Sequence, residues 1–123
     1  MAECKVIRSG LSFHGKQGLD YFSGVSAQSA GSTGLCMHML VMPPGAEAKP
    51  HYHAAHETAI YMLEGSTSFR HGPNLEHVDH VNQGDYVFIP AGVPHQPFND
   101  SGAIARAIVA RTDPNEQESV VLL

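Results

Sequence analysis

Runs of apolar residues in this chain are short and repeatedly cut by glycine and proline. The runs suited to pleated surfaces are Leu35 to Met42, Ser66 to Arg70, Asp85 to Ile89 and Ala103 to Arg111. Between them stand Pro43-Pro44-Gly45, Gly65, Gly72-Pro73, Gly84 and Pro90 to Pro94, residues whose backbone preferences end regular structure. Many short strands with frequent turn signals predict an all-β sandwich or barrel. The step His71-Gly72-Pro73-Asn74 reads as a hairpin turn between two of these strands.

One segment competes with that reading. Ala54 to Glu64 is rich in helix formers and ends at Gly65, where a helix C-cap would sit. A helix there places His53 and Glu57 at i, i+4 on one face, and His53, His56 and Glu57 then form a candidate hydrolase-like zinc site. A strand instead puts Thr58, Ile60 and Met62 on one face and Glu57, Ala59, Tyr61 and Leu63 on the other.

Length and charge narrow the function classes. A chain of 123 residues is expected to form a single domain over 1–123. Twelve acidic against seven basic residues give a net charge of −5, with no lysine or arginine cluster of the kind a phosphate backbone requires. No nucleic acid partner is expected. The start of the chain lacks the apolar stretch of a secretory leader, and no run reaches membrane-spanning length, so no membrane association is expected. Cys4 and Cys36 are too few for a disulfide scaffold, which with the missing leader predicts a cytoplasmic protein with reduced thiols.

Histidine is the unusual component: nine residues, five of them between His51 and His77. The segment Gly45 to Glu57 contains the pair His51-Tyr52-His53, and on a strand residues i and i+2 project to one face as two facial metal ligands. A second block, Gly84 to Asn99, runs from a strand through Pro90-Ala91-Gly92 to His95. That turn reverses the chain and can bring His95 beside the pair.

These two blocks resemble the two motifs of the cupin superfamily, the double-stranded β-helix proteins. In the first family pattern, G-x5-H-x-H-x3-4-E-x6-G, Gly45, His51, His53 and Gly65 fit. In the second, G-x5-P-x-G-x2-H-x3-N, Gly84, Pro90, Gly92, His95 and Asn99 all fit. Five fixed residues at fixed spacings coincide by chance about once in a million starting points. The resemblance covers 45–65 and 84–99 and implies an all-β, double-stranded β-helix (jelly-roll) barrel, which makes Thr58 to Glu64 a strand.

The resemblance also implies a divalent metal, one of Fe, Mn, Ni, Cu or Zn, held by His51, His53 and His95. The family glutamate does not carry over cleanly. Counting from His53 and back from Gly65 puts Thr58 at that position, while Glu57 lies one residue short and would need a bulge to face inward. Water, Glu57 or His56 then completes the site. An anionic ligand suits Mn²⁺ or Fe²⁺; neutral imidazoles alone leave a stronger Lewis acid and admit Zn²⁺, Ni²⁺ or Cu²⁺.

The function implied is that of a metalloenzyme acting on a small oxygen-containing organic molecule, with dioxygenase-like oxidation slightly ahead of lyase or isomerase chemistry. The alternative is a non-catalytic cupin that binds or senses a small molecule. A homodimer is expected, with Val120 to Leu123 either tucked against its own subunit or added to a partner's sheet edge. Elsewhere His38 reads as a buried structural histidine and Tyr61, Tyr86, Phe88 and Phe98 as core. Arg106 is expected to face solvent, and His71, His77 and His80 to lie exposed near the hairpin.

Overall fold

The computed structural model describes residues 3–8, 10, 12–116 and 119–123. Its strands are β1 (Ser12–His14), β2 (Asp20–Val25), β3 (Cys36–Met42), β4 (His51–His53), β5 (Thr58–Glu64) and β6 (Thr67–His71). They continue with β7 (His77–Val81), β8 (Tyr86–Ile89), β9 (His95–Phe98), β10 (Ala105–Arg111) and β11 (Val120–Leu122). One four-residue helix, α1 (Ala27–Ala30), is capped by Ser26 and Gly31. Six strands form one sheet in the order β1-β2-β3-β10-β5-β8, and five form the other in the order β11-β4-β9-β6-β7. Every recorded strand pairing is antiparallel.

This is the double-stranded β-helix expected from the motifs. Residues 58–64 form β5, so neither the helix nor the zinc site built on it exists. Tertiary pairing to β8 and β10 overrides local propensity there. Gly65 ends this strand instead of capping a helix: its φ is +77°, and a Cβ would lie 2.6 Å from the Ile104 carbonyl oxygen.

Period-two alternation sets the interior. On β10, Ala105, Ala107, Val109 and Arg111 are buried while the residues between them are half-buried. On β3, Cys36, His38, Leu40 and Met42 point inward. Leu40, Met42, Met62, Phe69, Val81, Ala105 and Ala107 pack into the core between the sheets, each large side chain contributing about 1.5–3 kcal/mol on burial. Asn99, 2% exposed, ties the barrel together: its Nδ2 donates to the carbonyls of Met42 (2.9 Å) and Ala103 (2.8 Å), and its Oδ1 accepts from the Ser101 amide.

The C-terminal strand lies on its own subunit. β11 pairs with β4, Val120 opposite His53 and Leu122 opposite His51. Among the expected core aromatics, Tyr86 and Phe88 instead stand 80% and 61% exposed on the outer side of edge strand β8. Arg106 is partly exposed as expected and pairs with Glu64 at 2.8 Å.

Candidate metal centre

His51 and His53 occupy β4 at positions i and i+2, and therefore share a face. β9 runs antiparallel beside β4 with His95 directly opposite His51. The ring centroids of His51 and His53 are 5.0 Å apart, those of His51 and His95 4.3 Å, and those of His53 and His95 4.9 Å. One ligand atom from each ring lies within 4.8 Å of the others, and all three residues are buried.

Backbone contacts select the tautomers. His51 Nδ1 lies 2.6 Å from the Lys49 carbonyl oxygen and His95 Nδ1 lies 2.9 Å from that of Val93. A carbonyl only accepts, so each Nδ1 carries the proton and donates, leaving each Nε2 with a lone pair. Burial then disfavours imidazolium. It is the main cause that lowers His53 to about 2 and His95 to about 4, reinforced by neighbouring histidines and the Arg111 guanidinium. His51 is lowered as well, again chiefly by burial. Neutral, buried imidazoles with backbone-fixed rings are the donor set that divalent metals take, so the residues fit a metal ion.

The structure does not bring Glu57 to this cluster. Its side chain is exposed, and its backbone amide donates to Thr112 Oγ1 at 3.0 Å. The reason is strand parity: Thr58 faces inward, and the irregularity in the β5–β10 pairing falls near Arg106, far from Glu57. Thr58 Oγ1 is buried without a hydrogen-bond partner. His56, in contrast, is 2% exposed and its ring centroid is 4.5 Å from that of His53. Its Nδ1 lies 3.2 Å from Ser119 Oγ and 3.8 Å from an Asp113 carboxylate oxygen, while its Nε2 is buried with no hydrogen-bond partner.

Two inward residues of the opposite sheet complete this polar end of the barrel. Arg111 is 4% exposed, with its guanidinium carbon 5.3 Å from the Tyr21 ring centroid. Its burial follows from the inward alternation of Ala105, Ala107 and Val109, a period-two signal present in the sequence. His38 is buried as expected, edge-on to Tyr21 at 4.9 Å and Phe13 at 5.5 Å, with neither ring nitrogen hydrogen-bonded.

A cavity of about 430 Å³ opens beside His95, between β6, β7 and β8. Phe69 stacks on His95 with centroids 5.7 Å apart and separates the cavity from the apolar core. His71 also lines it, half-buried, with Nε2 2.7 Å from Asp79 Oδ2. The expected exposure holds for His77 and His80 but not for His71, which shares the inward parity of Thr67 and Phe69.

Residues 38–111 match the family of the cupin domain, and the chain belongs to that family. Its structure resembles the polyketide cyclase RemF from Streptomyces resistomycificus, with TM-score 0.72 and 24% identity over 99% of this chain and 80% of that one. A deletion mutant of Bacillus subtilis oxalate decarboxylase OxdC gives TM-score 0.73 and 22% identity over 94% of this chain and 30% of that one. The DMSP lyase DddQ from Ruegeria pomeroyi gives TM-score 0.62 and 26% identity over 74% and 44%. No curated protein sequence matches the chain.

Proposed function

We propose that this protein is one cupin domain, 1–123, that holds a divalent metal on His51, His53 and His95 and uses it on a small oxygen-containing organic molecule. The observation that carries this reading is the pair of Nδ1–carbonyl hydrogen bonds, which leave His51 and His95 with free Nε2 lone pairs facing the same buried point as His53. His56 is the fourth protein ligand, in place of Glu57. Its Nε2 is buried without a hydrogen-bond partner, and its ring centroid lies 4.5 Å from that of His53.

An all-imidazole donor set leaves the ion its full charge, and the chemistry such an ion supplies is polarisation of a carbonyl or enol oxygen. That favours lyase, isomerase or cyclase chemistry over the dioxygenase-like oxidation expected from sequence. The same direction is suggested by neighbours whose names are those of a polyketide cyclase, a lyase and a decarboxylase. The chain's part is to fix the ligand rings through backbone carbonyls and, through Phe69 and the apolar strand faces, to exclude water from beside His95.

Turnover of a panel of carbonyl and enol compounds by zinc-loaded protein, in air and under argon, tests this. Equal rates in both atmospheres are expected. A strict requirement for O₂ restores the oxidative reading, and ligands that raise the melting temperature without turnover support the non-catalytic binding module.

The protein works as a homodimer that buries the outer face of the six-stranded sheet. Met37, Leu63, Tyr86 and Phe88 are exposed there at 47%, 44%, 80% and 61%. The Arg106–Glu64 ion pair on this face cancels its own charge, so two copies of a chain with net charge −5 meet there without repulsion. β11 is paired with β4 of its own chain and stands at the edge of its sheet. A cytoplasmic setting fits Cys4 and Cys36, which stand outside any disulfide. No helix among the described residues is long and apolar enough to cross a membrane.

A further inference from the structure

We propose that the cavity beside His95 takes a neutral, hydroxyl-bearing ring compound and rejects anions, with the His71–Asp79 pair reading one of its hydroxyl groups. This rests on the metal centre proposed above, and names the class of molecule that centre acts upon.

The cavity is large enough for a molecule of about two fused rings, since small-molecule sites begin near 300 Å³. The apolar part of its wall is formed by Val81, Val87, Ile89 and Val93 with the Phe69 ring beside His95. Such walls reward a flat hydrocarbon body.

Among the described residues, Asp79 and Asp85 line the cavity and no lysine or arginine does. His80 lines it as well, on the opposite face of β7 from Asp79, with its Nδ1 3.3 Å from Ser68 Oγ. The nearest cation on β6, Arg70, is turned to the other face of the strand. Its guanidinium carbon sits 4.0 Å from the Phe98 ring centroid and its Nη1 donates to Gln96 Oε1 at 3.2 Å. His71 does not supply the missing positive reader, because its Nε2 donates to Asp79 Oδ2 at 2.7 Å and the pair together stays acceptor-rich. Asp85 Oδ2 accepts from the Asn82 amide at 2.7 Å, which leaves its other oxygen for a ligand.

An incoming sulfonate, phosphate or carboxylate at this rim meets two carboxylates with no lysine or arginine beside them. A hydroxyl group donates to them. Positioned 2.7 Å from His71, Asp79 is held in place, so the acceptor is preorganised and does not need to be ordered by the ligand. A group placed beside His95 answers to the metal; the remainder of the molecule answers to this rim.

Two probes separate these effects, because they share a ring system and one hydroxyl: naphthalenediol, and the hydroxynaphthalene sulfonate that replaces the second hydroxyl by an anion. Calorimetric titration of each into the 123-residue chain should give at least tenfold tighter binding of the diol metal-free, and a smaller preference in the same direction zinc-loaded, where the ion's charge offsets part of the rim's repulsion. Asp79→Asn should shrink the ratio to within about threefold, and Asp79→Lys should invert it. Because the Asp79 side chain is 71% exposed, neither substitution threatens the fold.

Equal or tighter binding of the sulfonate by the wild type overturns the inference, as does binding of neither probe, or a ratio that Asp79→Lys leaves unmoved. Zinc content measured on the same samples keeps the two readings apart. Protein that holds no zinc yet prefers the diol sinks the metal centre alone, and protein that holds zinc without preference sinks only the cavity assignment.

Discussion

His51 and His95 stand directly opposite each other on β4 and β9, with ring centroids 4.3 Å apart and each Nδ1 engaged by a backbone carbonyl two residues earlier in the chain. The two rings are thus oriented by the same device on neighbouring antiparallel strands. That equivalence makes them interchangeable in importance.

Replacing either by alanine removes one donor from a buried set of three. His51→Ala and His95→Ala should each lower zinc affinity by about 100-fold or more, with both variants folded. Elemental analysis of untagged protein after dialysis against a weak chelator checks this. Retention of stoichiometric metal by either variant would place the ion elsewhere.

Glu57 and His56 make opposite predictions. Glu57→Ala changes an exposed side chain and should leave metal content and melting temperature essentially unaltered. His56→Ala should weaken zinc binding by roughly ten- to 100-fold, since its unpartnered Nε2 is the added donor. A competitive titration with a chromogenic zinc chelator measures both.

Metal-free protein should lose stability as pH falls from 6.5. Burial first, then the Arg111 guanidinium, lowers His38 to about 3, and burial likewise lowers His53 to about 2 and His95 to about 4. The unfolded chain, with ordinary histidines near 6.5, therefore binds more protons than the folded one, and unfolding free energy rises with pH across that window. Above 6.5 the stabilisation is complete. Each such histidine accounts for about 2 kcal/mol between pH 6.5 and 5. Urea midpoints at pH 7.5 and 5 should show the fall, and His38→Leu should reduce it by about that amount.

Sedimentation should find twice the 13.2 kDa chain mass at micromolar concentration. The double variant Met37→Glu, Leu63→Glu places like charges on the outer sheet face, away from His51, His53 and His95, and should sediment as a monomer with its metal retained. A wild-type monomer would leave that face without a partner of its own kind.

The barrel and its three histidines were legible because the relevant signals are local. Spacing from Gly45 to His53 and from Gly84 to Asn99 fixes turns and strand parity without knowledge of partners. The helix-favouring composition of Ala54 to Glu64 misleads for the opposite reason, since only pairing with β8 and β10 makes β5 a strand. Sequence spacing left Thr58 and Glu57 in competition, and parity in the fold turned Thr58 inward and Glu57 out. The cavity was not legible at all: His71 and Asp79 are eight residues apart and meet only because β6 and β7 fold back on each other. Tyr86 and Phe88 read as core because aromatic residues usually are, whereas their parity on β8 turns them to the outer face, opposite the buried Ile89.

The pairing of β11 with β4 gives the metal centre a place in the order of folding. The strand that carries His51 and His53 is three residues long and is held between β9 and β11, segments roughly 40 and 70 residues away along the chain. Neither neighbour is local, so the histidine pair acquires its geometry only once the barrel closes. Metal capture at the proposed centre would then be a late event that reports completed closure, and a bound ion would act as a lock on the seam that forms last.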